Sequence, residues 1–132
     1  YNYLKKLVEE LKLTDRIILD DSYRSKEEMR YLYSHADLYV SPSLKEGFGW
    51  SPIEAAILKT PVLISIIEVH LEVSCSKLEI FNPHSTTELA DKIYNILKNP
   101  PAKDRLEKLA TFYLNKYSLK CQIEKMIEVF TI

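Results

Sequence analysis

Val62 to Ile66 (VLISI) places apolar residues on both alternating faces of an extended segment and follows directly on Thr60-Pro61, which ends a helical stretch. A strand apolar on both faces needs cover on both faces, and the common solution is a parallel sheet whose crossovers are helices. Three other short runs read the same way: Arg16 to Asp20 (RIILD), Ala36 to Ser41 (ADLYVS) and Leu78 to Phe81 (LEIF). Between them the apolar residues recur at helical spacing. Leu4, Leu7, Val8 and Leu11 mark a helix over about residues 1–13, and Met29, Leu32 and Tyr33 mark one behind the Ser25-x-x-Glu28 capping pattern. In Ser51-Pro52-Ile53-Glu54, Ser51 reads as N-cap, Pro52 as the first helical residue and Glu54 as the third. Ser85 and Glu88 repeat the pattern ahead of Leu89, Ile93, Ile96 and Leu97; two more helices follow, marked by Leu106, Leu109, Ala110 and Tyr113 and by Ile123, Met126, Ile127 and Phe130. Glu68 to Lys77 has no clear period. The alternation predicts an α/β fold: a Rossmann-like parallel sheet of about four strands flanked by helices.

At 132 residues and 46% hydrophobic the chain fits one domain with a real core. Eighteen basic residues against 19 acidic leave a net charge of -1, with no electrostatic footprint for nucleic acid or an anionic membrane. No apolar run reaches the roughly 18 residues of a membrane span. The expectation is a cytoplasmic protein without a transmembrane segment, with the cytoplasmic face of the membrane open as its place of work. Cys75 and Cys121 stand in no metal or redox spacing and read as two buried free thiols; His35, His70 and His84 show no ligand or triad spacing and read as structural or surface residues. Tyr1 already lies in a helical pattern, so the chain is expected to be a piece of something longer.

Both glycines of the chain, Gly47 and Gly49, fall in EGFGWSPIE, residues 46–54. Glycine is required where φ is positive or where another group approaches too closely for a Cβ. The loop follows the second predicted strand, at the sheet end where ligands of open α/β folds bind. It feeds a helix N-terminus, so its N–H groups and the helix dipole form a seat for a phosphate or diphosphate. A tight strand-to-helix turn explains the same glycines without a ligand. Glu54 reads either as the capping-box partner of Ser51 or as an acceptor for a vicinal diol such as that of ribose. Glu46, on the loop, is a ligand candidate, and a glycosidase-like acid/base pair of the two glutamates is a further possibility.

ADLYVSPSLKEGFGWSPIEAAILKTPVLIS, residues 36–65, resembles the donor-binding half of the GT-B retaining glycosyltransferases of group 1. The matching positions are Pro42, Ser43, Glu46, Gly47, Phe48, Gly49, Glu54, Ala55, Thr60, Pro61 and Val62, with seven residues between the two glutamates. The flanking segments resemble the neighbouring family strand and helices, and Glu72 stands where the family has Pro-Glu-Val. The resemblance implies a glycosyltransferase moving a sugar from a nucleoside-diphosphate sugar to an acceptor hydroxyl with retention. In that reading Glu46 faces the donor sugar's hydroxyls at the reaction centre and Glu54 holds the ribose. The amides from Gly47, Phe48 and Gly49 through Trp50 and Ser51 receive sugar oxygens and the diphosphate. The loop Asp21, Ser22, Tyr23 lies near the nucleobase.

No metal or other cofactor is implied, and no nucleic acid partner; the acceptor is a glycan, lipid or small molecule left open. Residues 1–132 are then expected to be a donor-binding domain lacking its first strands, the phosphate-clamping arginine and lysine, and the acceptor domain, which would be supplied in cis or by a separate chain. Asp21 in place of a family glycine, Leu58-Lys59-Thr60 in place of a small-Gly-Thr turn, and the lack of glycine over residues 66–71 are departures from the pattern. A noncatalytic nucleotide-sugar-binding subunit or degenerate relic is the alternative, and a GT-B sugar epimerase a third reading.

Overall fold

The computed structural model describes residues 1–130, with the side chains of Val129 and Phe130 outside the description. Two helices open the chain, α1 (Asn2–Glu10) and α2 (Lys26–His35). Then come β1 (Tyr39–Ser41), α3 (Trp50–Ile57), β2 (Val62–Ser65), α4 (Glu68–Ser74) and β3 (Glu79–Phe81). Helices α5 (Thr86–Lys98), α6 (Lys103–Tyr117) and α7 (Leu119–Phe130) complete it. The three strands form one parallel sheet in the order β1-β2-β3, with Tyr39 opposite Val62 and Leu63 opposite Glu79. Each crossover carries a helix, as parallel pairing demands. β2, central in the sheet, is buried at all four positions, which suits Val62, Leu63 and Ile64 and requires the one polar residue, Ser65, to find a hydrogen-bond partner inside.

Where the local chemistry is strong the elements form as expected. The Ser25 hydroxyl accepts from the Glu28 amide at 3.2 Å and Glu28 accepts from the Ser25 amide at 2.7 Å, a reciprocal capping box at the start of α2. The Ser85 hydroxyl accepts from the Glu88 amide at 3.1 Å and starts α5. The unassigned stretch at residues 68–77 contains the short helix α4, and the Phe130 side chain expected in the last apolar stripe lies outside the described part.

Arg16 to Asp20 forms no strand, so among the described residues the sheet has three strands, near the expected number of about four. A turn draws the Ile17 amide back to the Leu13 carbonyl at 2.9 Å, no described strand offers the segment a ladder, and Ile18 is left 93% exposed. The two thiols are free but half-buried, not buried as expected. Cys75 closes α4 in a left-handed conformation (φ 51°) and its sulfur meets the Lys116 ammonium on α6.

α3 carries the core. Its Ile53, Ala55 and Ala56 are buried, and it touches β1, β2, α2 and α6. The small residues at 55 and 56 allow that close approach. Its end lacks a glycine, and Lys59 takes the positive φ, 66°, that a glycine would otherwise supply. From α6, Tyr113 is fully buried and donates to the Ser74 carbonyl at 2.7 Å, while Tyr117 donates to the Val73 carbonyl at 3.1 Å. α6 thereby ties the end of α4 to the helix on which the site is built.

Candidate functional site

The loop of residues 42–49 leaves β1 at its carboxyl end and turns into α3. Glu46 sits in it with its side chain one-quarter exposed. One carboxylate oxygen, Oε1, is anchored: it accepts from the Ser43 hydroxyl at 2.5 Å and the Ser41 hydroxyl at 3.3 Å, and it lies 3.6 Å from Nε2 of His70. Ser65, the last residue of β2, donates to the Ser43 carbonyl at 2.6 Å and so fastens the loop to the sheet. The other oxygen, Oε2, has no hydrogen-bond partner among the described residues and faces Gly49, 3.4 Å from where a Cβ on that glycine would stand. The network thus immobilises the carboxylate and leaves an acceptor free at the carboxyl ends of β1 and β2.

Gly49, not Ser51, is the N-cap of α3, with φ 79° and ψ 48°. A glycine in this conformation starts the helix two residues sooner than expected, at Trp50, without a side-chain cap. Its first-turn amides therefore carry no side-chain acceptor and stay available to an anion. Ser51 lies close to the phenols of Tyr33 and Tyr39, whose acidity burial weakens. Phe48 and Trp50 stack at 4.4 Å between centroids, and both meet the edge of Tyr117, which pins the loop to the end of α6.

The two glycines have different reasons. A Cβ on Gly49 would lie 3.3 Å from His70 Cδ2 on a backbone of positive φ, whereas one on Gly47 would meet nothing within 4 Å. Gly49→Ala is therefore expected to lower stability by about 1–2 kcal/mol, the cost of a left-handed non-glycine residue, read from denaturant unfolding.

With the cap at Gly49, Glu54 is the fifth helical residue and is out of reach of a capping-box role. It is exposed on the wall of a cavity of about 530 Å³ between α3 and α2, together with Arg24, Lys26, Arg30 and Tyr33. Lys26 and Arg30 share a helix face by their four-residue spacing, a signal present in the sequence but not read there. Glu54 makes no ion pair among the described residues. Arg24 is committed to Asp20 and Glu28, and the Asp20 carboxyl is held well below its ordinary range chiefly by that guanidinium. The loop Asp21, Ser22, Tyr23 stands just ahead of this cavity, with Ser22 bonded to Asp20 and Tyr23 92% exposed. A larger cavity of about 710 Å³ opens beyond β2 and β3, walled mostly by Leu44, Ile66, Ile67, Ile80 and Phe81. No lysine or arginine lines it; Asn82, His84 and Glu88 are its polar members.

The expectation that the histidines are structural or surface residues holds for His70, which is fully buried, but its place against Glu46 was not foreseen. Nothing local to residue 70 announces this, because the β2–α4 crossover is what brings it to the loop.

Residues 1–111 match the family model described as glycosyl transferases group 1. Over 110 residues the chain is 36% identical to the O-antigen chain mannosyltransferase RfbU of Salmonella typhimurium, covering 83% of this chain and 31% of that relative. It is 28% identical over 126 residues to the serotype-specific mannosyltransferase WbdA of Escherichia coli, covering 96% of this chain and 16% of that protein. A solved sucrose-phosphate synthase from Thermosynechococcus elongatus superposes with a TM-score of 0.76 at 24% identity, over 98% of this chain and 34% of that one, which shows a common GT-B fold. The chain thus spans about a third or less of the length of these relatives. With its glutamate-bearing loop and helix, its parallel sheet and these matches, the chain belongs to the group 1 glycosyltransferases.

Proposed function

We propose that this chain is the donor-binding part of a retaining glycosyltransferase that takes a sugar, mannose by analogy with the named relatives, from a nucleoside diphosphate to an acceptor hydroxyl. The observation that carries this reading is the anchored Glu46 carboxylate, one oxygen held by two serines and the other free beside an uncapped helix start. A fixed acceptor suits sugar hydroxyls. The unpartnered amides at Trp50 and Ser51, with the helix dipole behind them, suit the diphosphate that departs with the bonding electrons, so its growing charge meets preorganised donors. Glu54 accepts from the ribose diol in the cavity with Lys26 and Arg30, and residues 21–23 face the base. In this reading no metal is needed, and the acceptor and the remaining donor contacts come from outside residues 1–132.

Glu46→Gln in the whole protein tests it, with GDP-mannose and UDP-glucose as donors. Turnover on the better donor is expected to fall about 10- to 100-fold, the range for losing a hydrogen bond to a charged group, with affinity for GDP or UDP little changed. Unchanged turnover removes Glu46 from the reaction.

A further inference from the structure

His70 is fully buried, and its Nε2 has no hydrogen-bond partner among the described residues. The proton positions follow from its neighbours. Nδ1 lies 2.9 Å from the Ser65 carbonyl oxygen and 3.1 Å from the Ser65 hydroxyl oxygen. The carbonyl can only accept, and the serine directs its own hydrogen to the Ser43 carbonyl, so Nδ1 carries a proton shared between the two oxygens. In a neutral ring Nε2 would then present a bare lone pair to Oε1 of Glu46, 3.6 Å away. Two acceptors would face each other in a buried place. Burial disfavours a charged ring, but here both nitrogens point at oxygens and a carboxylate stands opposite the second.

We propose that His70 is a positioning residue for Glu46: as an imidazolium it holds Oε1 together with the two serines, so that Oε2 is presented beside Gly49. This rests on the assignment of Glu46 to the donor site. Of the other titratable groups on neighbouring elements, Glu68 and Glu72 on α4 are exposed, Tyr113 of α6 is committed to the Ser74 carbonyl, and Lys116 to Cys75. Glu54 of α3 faces the α2 cavity, which leaves Glu46 as the partner. The charge on His70 thereby sets how firmly the sugar acceptor is held.

The test combines a spectrum with kinetics on the whole protein. Long-range proton–nitrogen spectra at neutral pH are expected to show His70 protonated on both nitrogens in the wild type and on Nδ1 alone in Glu46→Gln. A singly protonated ring in the wild type overturns the proposal. With GDP-mannose as donor, His70→Leu should lower kcat about tenfold, the scale of one charge-assisted hydrogen bond, while GDP affinity stays within about twofold. His70→Gln, which keeps an N–H donor, should recover most of that rate; a His70→Gln rate no better than that of His70→Leu also overturns it. Should His70→Leu fail to fold, the spectrum still decides. A doubly protonated His70 together with full turnover in Glu46→Gln would leave the ion pair standing and remove the functional reading beneath it.

Discussion

Calorimetric titration of the whole protein with GDP-mannose is expected to show Glu54→Ala weakening binding by about 2 to 4 kcal/mol, the sum of two charge-assisted hydrogen bonds to a diol. The magnitude follows from the state of the carboxylate. At the fifth position of α3 it caps nothing, and Arg24, one of the guanidiniums on the cavity wall, is drawn off by Asp20 and Glu28. A free acceptor beside Lys26 and Arg30 is neither neutralised by a partner nor required by the helix, so its removal costs binding and leaves folding alone. Glu54→Gln keeps one acceptor oxygen and should recover part of the loss. Because the group is exposed, its melting behaviour should match the wild type within about 0.5 kcal/mol, as for surface substitutions generally. Equal affinities for wild type and Glu54→Ala would make Glu54 a solvated surface charge and move the ribose elsewhere.

What the sequence made legible is what local chemistry decides. The caps at Ser25 and Ser85 start their helices because the partner amides lie three residues on, and VLIS is a strand because a run that is apolar but for its final serine has one place to go. RIILD carries the same apolar signal and fails, since a strand is a property of a pair and no described strand pairs with it. The Ser51-Pro52-Ile53-Glu54 pattern misleads for a related reason. Its spacing satisfies a capping box, but the left-handed Gly49 starts the helix upstream, and a glycine cap leaves no trace in the side-chain pattern. Glu46 could be placed at the candidate site from the loop motif; His70 and the anchoring role of Ser43 could not. The meeting of Glu46 with His70 depends on the lengths of β2 and of the connection into α4, which no local period encodes.

Gly47→Val is expected to leave stability within about 0.5 kcal/mol of the wild type, as for other exposed loop positions, while donor affinity falls at least about 100-fold, or roughly 2.7 kcal/mol. Gly49 is a poor probe of close approach, since its positive φ and its contact with His70 require a glycine whether or not a ligand binds. Gly47 has no such reason. Its φ lies outside the left-handed range and nothing of the protein stands within 4 Å of its missing Cβ, so folding alone does not exclude a larger residue there. What remains to exclude it is a ligand lying on the loop, with its oxygens at the amides of residues 47–51. Gly47→Ala, with one carbon, should give a smaller loss than valine, and Kd measured across glycine, alanine and valine should rise with side-chain size. A flat series would place the diphosphate away from this backbone and return the Gly47 position to a mere turn.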